Sequence, residues 1–186
     1  QGFDSANMKM HPDLWIIGNV ATRGMPVIEK IISDKKNYMS GPEFLSRKIL
    51  KDRPIIAVAG THGKTTVTSI ITWLLDCAGV KPGFLIGGIP MNFGISARVG
   101  KPNSPFVIEA DEYDTSFFDK RSKFLHYAAD YVVLNNLEFD HADIFGDLDA
   151  IKKQFHHWIR TLGQGTVIYS NRKSNALDDV LSFGVW

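Results

Sequence analysis

The sequence predicts an α/β fold in which a mostly parallel sheet carries helices on both of its faces. Short apolar runs alternate with segments whose apolar residues recur at helical spacing, and this alternation is typical of parallel βαβ units. One such run, Ile55–Ala59, leads through a glycine-bracketed turn into a helical pattern. The 186 residues, 44% of them hydrophobic, suffice for one full domain or for a domain and part of another.

The first fifty residues predict the end of a small α/β unit, because strand and helix patterns alternate there. In order, the predicted elements are a strand at 14–17, a helix at 26–32, a short strand at 38–39 and a helix at 43–50. Pro26 suits the first turn of the first helix. Residues 51–54 are polar and end in proline, so we expect a boundary there between domains 1–51 and 52–186.

A second α/β series follows this boundary. Its predicted strands lie at 55–59, 84–86, 105–110, 131–135 and 166–169, and its helices at 65–78 and 147–159. The last helix places Ile151, Phe155 and Trp158 on one face, which predicts that this face is buried. The lone cysteine, Cys77, falls within the earlier helix, where we expect a small core residue. In such a sheet, ligands bind beyond the carboxyl ends of the strands.

The segment Gly60-Thr-His-Gly-Lys-Thr-Thr66 has the form of a phosphate-binding loop between a strand and a helix. Glycines allow backbone N–H groups to close around phosphate oxygens, and a helix N-terminus adds favourable partial charge. Lys64 can reach the β- and γ-phosphates, the Thr65 hydroxyl can ligate Mg²⁺, and we expect His62 to contact a phosphate or acyl group. The general pattern has its first glycine where Val58 stands, so an ordinary strand–turn–helix connection remains the alternative.

Four carboxylates come directly after the apolar residues 106–108 of the next strand but one, within the six residues Glu109-Ala-Asp-Glu-Tyr-Asp114. Like charges this close together repel one another unless a cation or a proton intervenes. Mg²⁺ carried by ATP would neutralise them, since it prefers carboxylate, hydroxyl and water oxygens. We therefore expect Glu109 to contact metal or substrate, and extend this expectation to Asp111 and Glu112. The alternative is a solvated acidic loop before a helix, whose N-terminus favours acids.

The next predicted strand leads into Asn135-Asn-Leu-Glu-Phe-Asp-His141, which places Asp140 and His141 at the same edge of the sheet. A neutral imidazole can ligate a metal ion or orient a carboxylate beside one. We expect a site role for His141, with a purely structural histidine as the alternative. His156 and His157 lie on a predicted helix and are expected to be surface or packing residues.

Composition argues against several classes of partner. The formal net charge of +1 gives no broad electrostatic footprint for nucleic acid or for an anionic membrane. No apolar run approaches the ~20 residues of a membrane span, and the polar start is unlike a signal peptide. A single cysteine suits a reducing compartment. Because the chain lacks an initiator Met and ends abruptly at Trp186, we expect it to be a piece of a longer protein.

In order and spacing, residues 60–66, the Glu109-Ala-Asp-Glu112 sequence and the Asp140-His141 pair resemble the Mur ligases, the ATP-dependent amide-bond ligases of peptidoglycan synthesis. The Thr-His-Gly form of the loop resembles the branch that loads UDP-N-acetylmuramate. The resemblance covers nearly the whole chain. It implies an incomplete P-loop central domain at 52–186, preceded at 1–51 by the C-terminal part of a Rossmann-like domain that binds UDP-muramate.

Family roles carry over only to the residues that match. The resemblance implies that Lys64, Glu109 and His141 act in catalysis, and that Thr65, Glu109 and His141 contact metal ions. It implies that ATP is held by Gly60, Thr61, His62, Gly63, Lys64, Thr65 and Thr66. It implies substrate contacts at Asn92, Asp111 and Glu112. Several family members carry a carbamylated lysine further along the chain, where this sequence has Phe155-His156.

The resemblance therefore implies a bacterial cytoplasmic enzyme that uses ATP and Mg²⁺ to join UDP-N-acetylmuramate to the tripeptide L-alanyl-γ-D-glutamyl-meso-diaminopimelate. The tripeptide is favoured by three longer stretches, which begin at Gly18, Tyr113 and Leu134. Two alternatives stay open: a family member that adds L-alanine, and a P-loop nucleotide-binding module that is not a ligase. The family's C-terminal domain is missing, so the chain alone is expected to be inactive.

Overall fold

A mostly parallel sheet with helices on both faces organises the computed structural model, which describes residues 5–138, 147–171 and 175–182. This confirms the predicted fold class. A smaller two-stranded parallel sheet precedes the main sheet in the chain, and a two-stranded antiparallel hairpin lies between strands of the main sheet. Within the described residues, no helix is both long enough and apolar enough to cross a bilayer.

The first unit has the predicted order of elements. A short 3-10 helix precedes β1 (Trp15–Ile17), α1 (Pro26–Ser33), β2 (Tyr38–Ser40) and α2 (Gly41–Lys48), and β1 pairs parallel with β2. Pro26 occupies the first turn of α1, as expected. Helix α2 begins two residues earlier than predicted, because the Ser40 side chain accepts from the Glu43 N–H at 3.2 Å and caps the helix.

The second unit follows at Ile55. Its elements are β3 (Ile55–Ala59), α3 (Lys64–Cys77), β4 (Gly83–Leu85), β5 (Ala97–Arg98), β6 (Phe106–Glu109), β7 (Asp114–Ser116), β8 (Asp119–Ser122), β9 (Tyr131–Leu134), α4 (Leu148–Ile159), β10 (Val167–Ser170) and α5 (Asn175–Ser182). Among the described residues, six strands form the main sheet in the order β10-β9-β3-β6-β4-β5. All neighbours pair parallel except β4 and β5.

The two faces of the main sheet pack against different helices, because successive residues of a strand point to opposite faces. On one face, Phe124 stacks on Trp158 with ring centroids 4.7 Å apart and lies 5.2 Å from Phe155. The predicted buried face of α4, formed by Ile151, Phe155 and Trp158, is confirmed. On the other face, Phe84, Ile86 and Val107 form a separate cluster with residues of α3.

Helix α3 does not bury its cysteine. Cys77 is exposed, so the prediction of a core position is wrong. The fully buried residues of α3 are instead Thr68 and Thr72, whose hydroxyls donate to the carbonyl oxygens four residues earlier, each at 2.7 Å. These bonds satisfy the buried hydroxyls. Cys77 lies five residues beyond Thr72, on a different side of the helix.

The hairpin of β7 and β8 was not predicted. Sequence reasoning offered a solvated acidic loop before a helix, but the chain after β6 turns into antiparallel strands. The hairpin tip contacts the first unit: Phe117 packs on the cluster around Val27, and the Phe118 ring meets the Tyr38 ring edge-on at 5.1 Å. In the same hairpin, bonds from Arg121 lower the pKa of the Asp119 carboxyl to about 2. The boundary after residue 51 stays a prediction.

Candidate nucleotide-binding site

Three adjacent strands of the main sheet deliver the predicted site residues to one edge. Val58 in the central strand β3 is in register with Glu109 of β6 on one side and with Val133 of β9 on the other. The strands are parallel, so the loops after Ala59, Glu109 and Leu134 all leave at the carboxyl end. This is the edge at which open α/β sheets bind ligands.

The phosphate loop has a backbone shape that requires glycine at two positions. Gly60 and Gly63 have φ values of +133° and +76°, a region that side-chain-bearing residues rarely adopt. A Cβ on Gly60 would lie 2.8 Å from the Asn136 carbonyl oxygen, and one on Gly63 would lie 2.6 Å from the Asn135 Nδ2. Both glycines therefore permit a close approach by the loop that follows β9.

Asn136 holds the phosphate loop through its backbone and its side chain. Its carbonyl oxygen accepts from the Thr61 N–H at 3.1 Å, and its Oδ1 accepts from the His62 N–H at 2.8 Å. Its Nδ2 donates to the His62 carbonyl oxygen at 3.2 Å, and the Asn135 Nδ2 donates to the same oxygen at 2.8 Å. The N–H groups of Thr61 and His62 are thus bonded within the protein. Donors for a phosphate would come from the first turn of α3, where helical N–H groups lack intrahelical partners.

The Thr61 hydroxyl adds a second connection between the same two loops. It donates to the Glu138 carbonyl oxygen at 3.0 Å and accepts from the Glu138 N–H at 2.9 Å. The exposed His62 ring lies 4.0 Å from the Glu138 carboxylate, measured from Nε2 to Oε2. Sequence reasoning assigned no role to Asn135, Asn136 or Glu138. The paired asparagines directly after a predicted strand were a signal that could have indicated one.

The Lys64 ammonium lies inside this loop and contacts one of the predicted carboxylates. Its Nζ donates to the Gly60 carbonyl oxygen at 2.7 Å and approaches the Thr61 carbonyl oxygen at 3.3 Å. It also lies 3.2 and 3.1 Å from the two carboxylate oxygens of Glu112. Glu112 is only 3% exposed. The structure therefore joins the phosphate loop to the acidic segment through a shielded ion pair.

Glu109 and Thr65 lie on either side of the turn after β4. The Glu109 Oε2 accepts from the Gly87 N–H, and a Cβ on Gly87 would lie 2.5 Å from that oxygen. A Cβ on the next residue, Gly88, would lie 3.3 Å from the Thr65 Cγ2. Consecutive glycines thus bring a carboxylate and a threonine side chain to one short turn. Carboxylate and hydroxyl oxygens are the ligands that Mg²⁺ prefers.

Asp111 pairs with a different cation, the Lys123 ammonium. Its Oδ2 accepts from the Lys123 Nζ at 2.7 Å, and its Oδ1 accepts from the Tyr113 N–H at 3.3 Å. The Lys123 ammonium also lies 5.7 Å from the centre of the Tyr113 ring. Burial, together with the negative charge of Asp111, raises the pKa of the Tyr127 hydroxyl, which therefore stays protonated at neutral pH.

Of the remaining predicted site residues, the structure describes Asn92 but not His141. Asn92 is exposed on the segment after β4, next to Phe93, whose ring packs on Phe84 with centroids 4.8 Å apart. His141, with its neighbour Asp140, lies outside the described residues. Across residues 5–138, 147–171 and 175–182, no group of three or more His, Cys, Asp or Glu side chains is arranged to hold a metal ion. The predicted ligand set includes His141 and stays a prediction.

Comparison with known proteins gives consistent matches. The family model described as the Mur ligase middle domain matches residues 58–182. The UDP-N-acetylmuramate–L-alanyl-γ-D-glutamyl-meso-2,6-diaminoheptandioate ligase of Escherichia coli (strain K12) is 54% identical over 187 residues, which cover the whole chain and 40% of that protein. A UDP-N-acetylmuramate–L-alanine ligase of Roseiflexus sp. (strain RS-1) is 44% identical over 120 residues, or 64% of this chain and 24% of that protein.

The solved structures agree with these relatives. The crystal structure of the UDP-N-acetylmuramate:L-alanyl-γ-D-glutamyl-meso-diaminopimelate ligase from Neisseria meningitides superposes with a TM-score of 0.94 at 53% identity, covering all of this chain and 60% of that one. The chain spans about 40% of the length of the curated relatives that it matches at 51–54% identity.

Proposed function

Because this chain belongs to the Mur ligase family, we propose that it is the nucleotide-binding part of an ATP-dependent amide-bond ligase. The proposed reaction joins L-alanyl-γ-D-glutamyl-meso-diaminopimelate to UDP-N-acetylmuramate in the bacterial cytoplasm, for peptidoglycan recycling. One observation carries the proposal: the glycine-shaped loop with Lys64, and the carboxylate of Glu109, meet at the carboxyl end of neighbouring strands. The identity of the tripeptide is supported by the names of the two relatives that match the chain at 51–54% identity.

In this proposal the loop at residues 60–66 binds the triphosphate. The first turn of α3 offers N–H donors and the positive end of the helix dipole, which together favour an anion. Lys64 supplies the positive charge for the β- and γ-phosphates. Asn136 keeps the loop open in the required shape by occupying the N–H and carbonyl groups of His62.

Mg²⁺ fits the same edge. The Thr65 hydroxyl and the Glu109 carboxylate offer hard oxygen ligands, and the side chains that carry them lie beside Gly88 and Gly87. His141 is proposed for a second metal ion. Mg²⁺ would supply charge neutralisation for the reacting phosphates. The chain's own contribution is to fix the Glu109 carboxylate through the Gly87 N–H.

The proposed chemistry has two balanced steps. A carboxylate oxygen of the muramate lactyl group attacks the γ-phosphorus, the bond to the β-phosphate oxygen breaks, and ADP leaves. The amine of the tripeptide then attacks the acyl carbon, the acyl–phosphate bond breaks, and phosphate and a proton are released. Lys64 would stabilise the negative charge that develops on the phosphoryl oxygens.

The substrate side of the proposal involves Asn92 and Asp111. Asn92 is exposed beyond the Gly87-Gly88 turn, where it could face the sugar nucleotide. Asp111 is oriented by Lys123 and the Tyr113 N–H. Residues 1–51 are proposed as part of the UDP-muramate domain and 52–186 as the ATP domain. The hairpin tip of the second unit contacts the first.

The deciding experiment is phosphate release from ATP by the full-length parent protein with Mg²⁺ and UDP-N-acetylmuramate. The amine would be omitted, supplied as L-alanine, or supplied as the tripeptide. We expect release and amide formation with the tripeptide only. Preference for L-alanine would instead support the second candidate, which the 44% identity to the Roseiflexus ligase favours. Release without sugar nucleotide or amine would point to a non-ligase nucleotide-binding module and contradict both.

A further inference from the structure

The Lys64 ammonium is already saturated by the protein. An ammonium has three N–H donors, and four oxygens lie within 3.3 Å of Nζ: two backbone carbonyl oxygens and both carboxylate oxygens of Glu112. The shortest contact is the 2.7 Å bond to the Gly60 carbonyl oxygen. A phosphate oxygen can be bonded only if one of these contacts is released or shared. The longer contacts, those to Glu112 and to the Thr61 carbonyl oxygen, are the ones open to exchange.

The surroundings make Glu112 more than an incidental neighbour. Its side chain is 2% exposed and that of Lys64 is 16% exposed, so water screens the pair poorly. A buried carboxylate that loses its cation is costly. Lys64 therefore stays attracted to Glu112 when it also faces a phosphate, and the carboxylate subtracts from the positive potential that the nucleotide experiences.

We propose that Glu112 is a positioning residue for Lys64 that also competes with the triphosphate for the lysine's charge. The inference rests on the proposed function, and it gives Glu112 a role through Lys64 in place of the predicted contact with substrate. Glu112 fixes the ammonium within the phosphate loop and weakens the binding of both ATP and ADP. The first effect keeps the lysine correctly placed, and the second favours the release of the product ADP.

Glu112→Gln separates these effects, because glutamine keeps the shape and one acceptor oxygen but removes the negative charge. With the competing charge gone, ATP and ADP bind more tightly, by about fivefold. With a weaker hold on the ammonium, turnover falls, by about tenfold. A tighter Kd combined with a lower kcat is a signature that general loosening of the structure does not produce.

The test is calorimetric titration of the full-length protein with Mg·ATP and Mg·ADP at 0.15 M salt, alongside kcat for the complete reaction. Glu112→Asp keeps the charge but shortens the side chain, so both its Kd and its kcat should lie between those of wild type and Glu112→Gln. The matched control is Asp114→Asn. It removes a carboxylate from the same segment, but that carboxylate pairs with the exposed Lys120 at 2.7 Å. We expect its nucleotide affinity and turnover to equal those of wild type.

Two results would overturn the inference. If Glu112→Gln and Glu112→Asp fold like wild type, as judged by circular dichroism, and match it in Kd and kcat, the pair has no positioning role. If Glu112→Gln binds ATP more weakly, Glu112 contacts the ligand itself. A wild-type protein that binds no nucleotide would contradict the proposed function instead, so the two failures are distinguishable. Should Glu112→Gln fail to fold, Glu112→Asp alone decides.

Discussion

At the amino end of the main sheet, the Arg53 guanidinium donates to the carbonyl oxygens of Val99 and Ser104, each at 2.8 Å, and lies over the Phe106 ring. At the carboxyl end, the Lys64 ammonium is also surrounded by oxygens, two of them from the carboxylate of Glu112. Both ends thus surround a partly buried cation with acceptors. They differ in the acceptors, which are mostly backbone carbonyls at one end and include an ionised side chain at the other.

This difference separates a stabilising contact from a functional one. The carbonyl oxygens that bond to Arg53 are neutral and belong to the loop between β5 and β6. Replacing them with oxygens of a ligand would bring no gain. Burial also lowers the pKa of Arg53, which still stays charged because an arginine titrates far above neutral pH. The Lys64 pair, in contrast, lies where two glycines with positive φ open the backbone. We expect mutations at the two ends to affect different measurements.

The largest expected effect is that of Lys64→Ala on turnover. Loss of the ammonium should reduce kcat for phosphate release by about 1000-fold. The buried Glu112 would lose its cation, so the free energy of unfolding should also fall, by about 1–3 kcal/mol. Adding Glu112→Gln should restore the stability without restoring turnover, as denaturant unfolding and single-turnover kinetics would show. Wild-type turnover in a folded Lys64→Ala protein would contradict the phosphate-loop assignment.

Glu109→Gln should be the next most harmful change. The amide oxygen can still accept from the Gly87 N–H, so the turn after β4 should keep its shape. The lost charge should lower kcat by about 100-fold and raise the Mg²⁺ concentration needed for half-maximal activity. A Mg²⁺ titration of phosphate release measures both. An unchanged Mg²⁺ dependence would remove Glu109 from the metal site.

Arg53→Ala tests the other end of the sheet. It leaves the carbonyl oxygens of Val99 and Ser104 without their donor, and the free energy of unfolding should fall by about 2 kcal/mol. Turnover per folded molecule should stay at the wild-type level, because Arg53 precedes β3 at the amino end of the sheet, whereas the phosphate loop lies at the carboxyl end. Arg53→Lys, which keeps the charge but not the planar fork, should recover only part of the loss. A fall in kcat without a fall in the free energy of unfolding would contradict the assignment of Arg53 to stability alone.

The smallest expected effect is that of Asn136→Asp. The carboxylate can still accept from the His62 N–H but can no longer donate to the His62 carbonyl oxygen. We expect KM for ATP to rise about fivefold with little change in kcat, since the new charge and the lost bond both disfavour phosphate in the loop. The control is Asn103→Asp, an exposed residue before β6 at the opposite edge of the sheet, which should leave KM unchanged.

Much of this arrangement could be predicted because it depends on local pattern. The strand–helix alternation and the buried face of α4 follow from periodicity, and Lys64 follows from a loop motif. The hairpin was missed because its tip is Phe117-Phe118 and contains no glycine or asparagine to signal a turn. Strand β5 was missed because it is only two residues long and pairs antiparallel at the edge.

The contacts that shape the site could not be read in the same way. Glu112 was predicted for substrate, yet its partner is set by the register of β6 beside β3, which places the two loops together. Asn136 acts through the backbone of His62, and the sequence does not show which backbone groups will be neighbours. Cys77 was wrongly assigned to the core because the sequence indicates a helix but not which side of that helix faces the core.

The missing Cβ of Gly60 has a practical consequence for protein engineering. The Asn136 backbone occupies the space that a Cβ on Gly60 would need, so two segments far apart in the chain pack together as one structural unit. A loop transplanted from another nucleotide-binding protein would clash or lose its anchor unless residues 135–138 were transplanted with it. A combinatorial library that varies the two segments together should therefore contain more folded, nucleotide-binding variants than one that varies either segment alone.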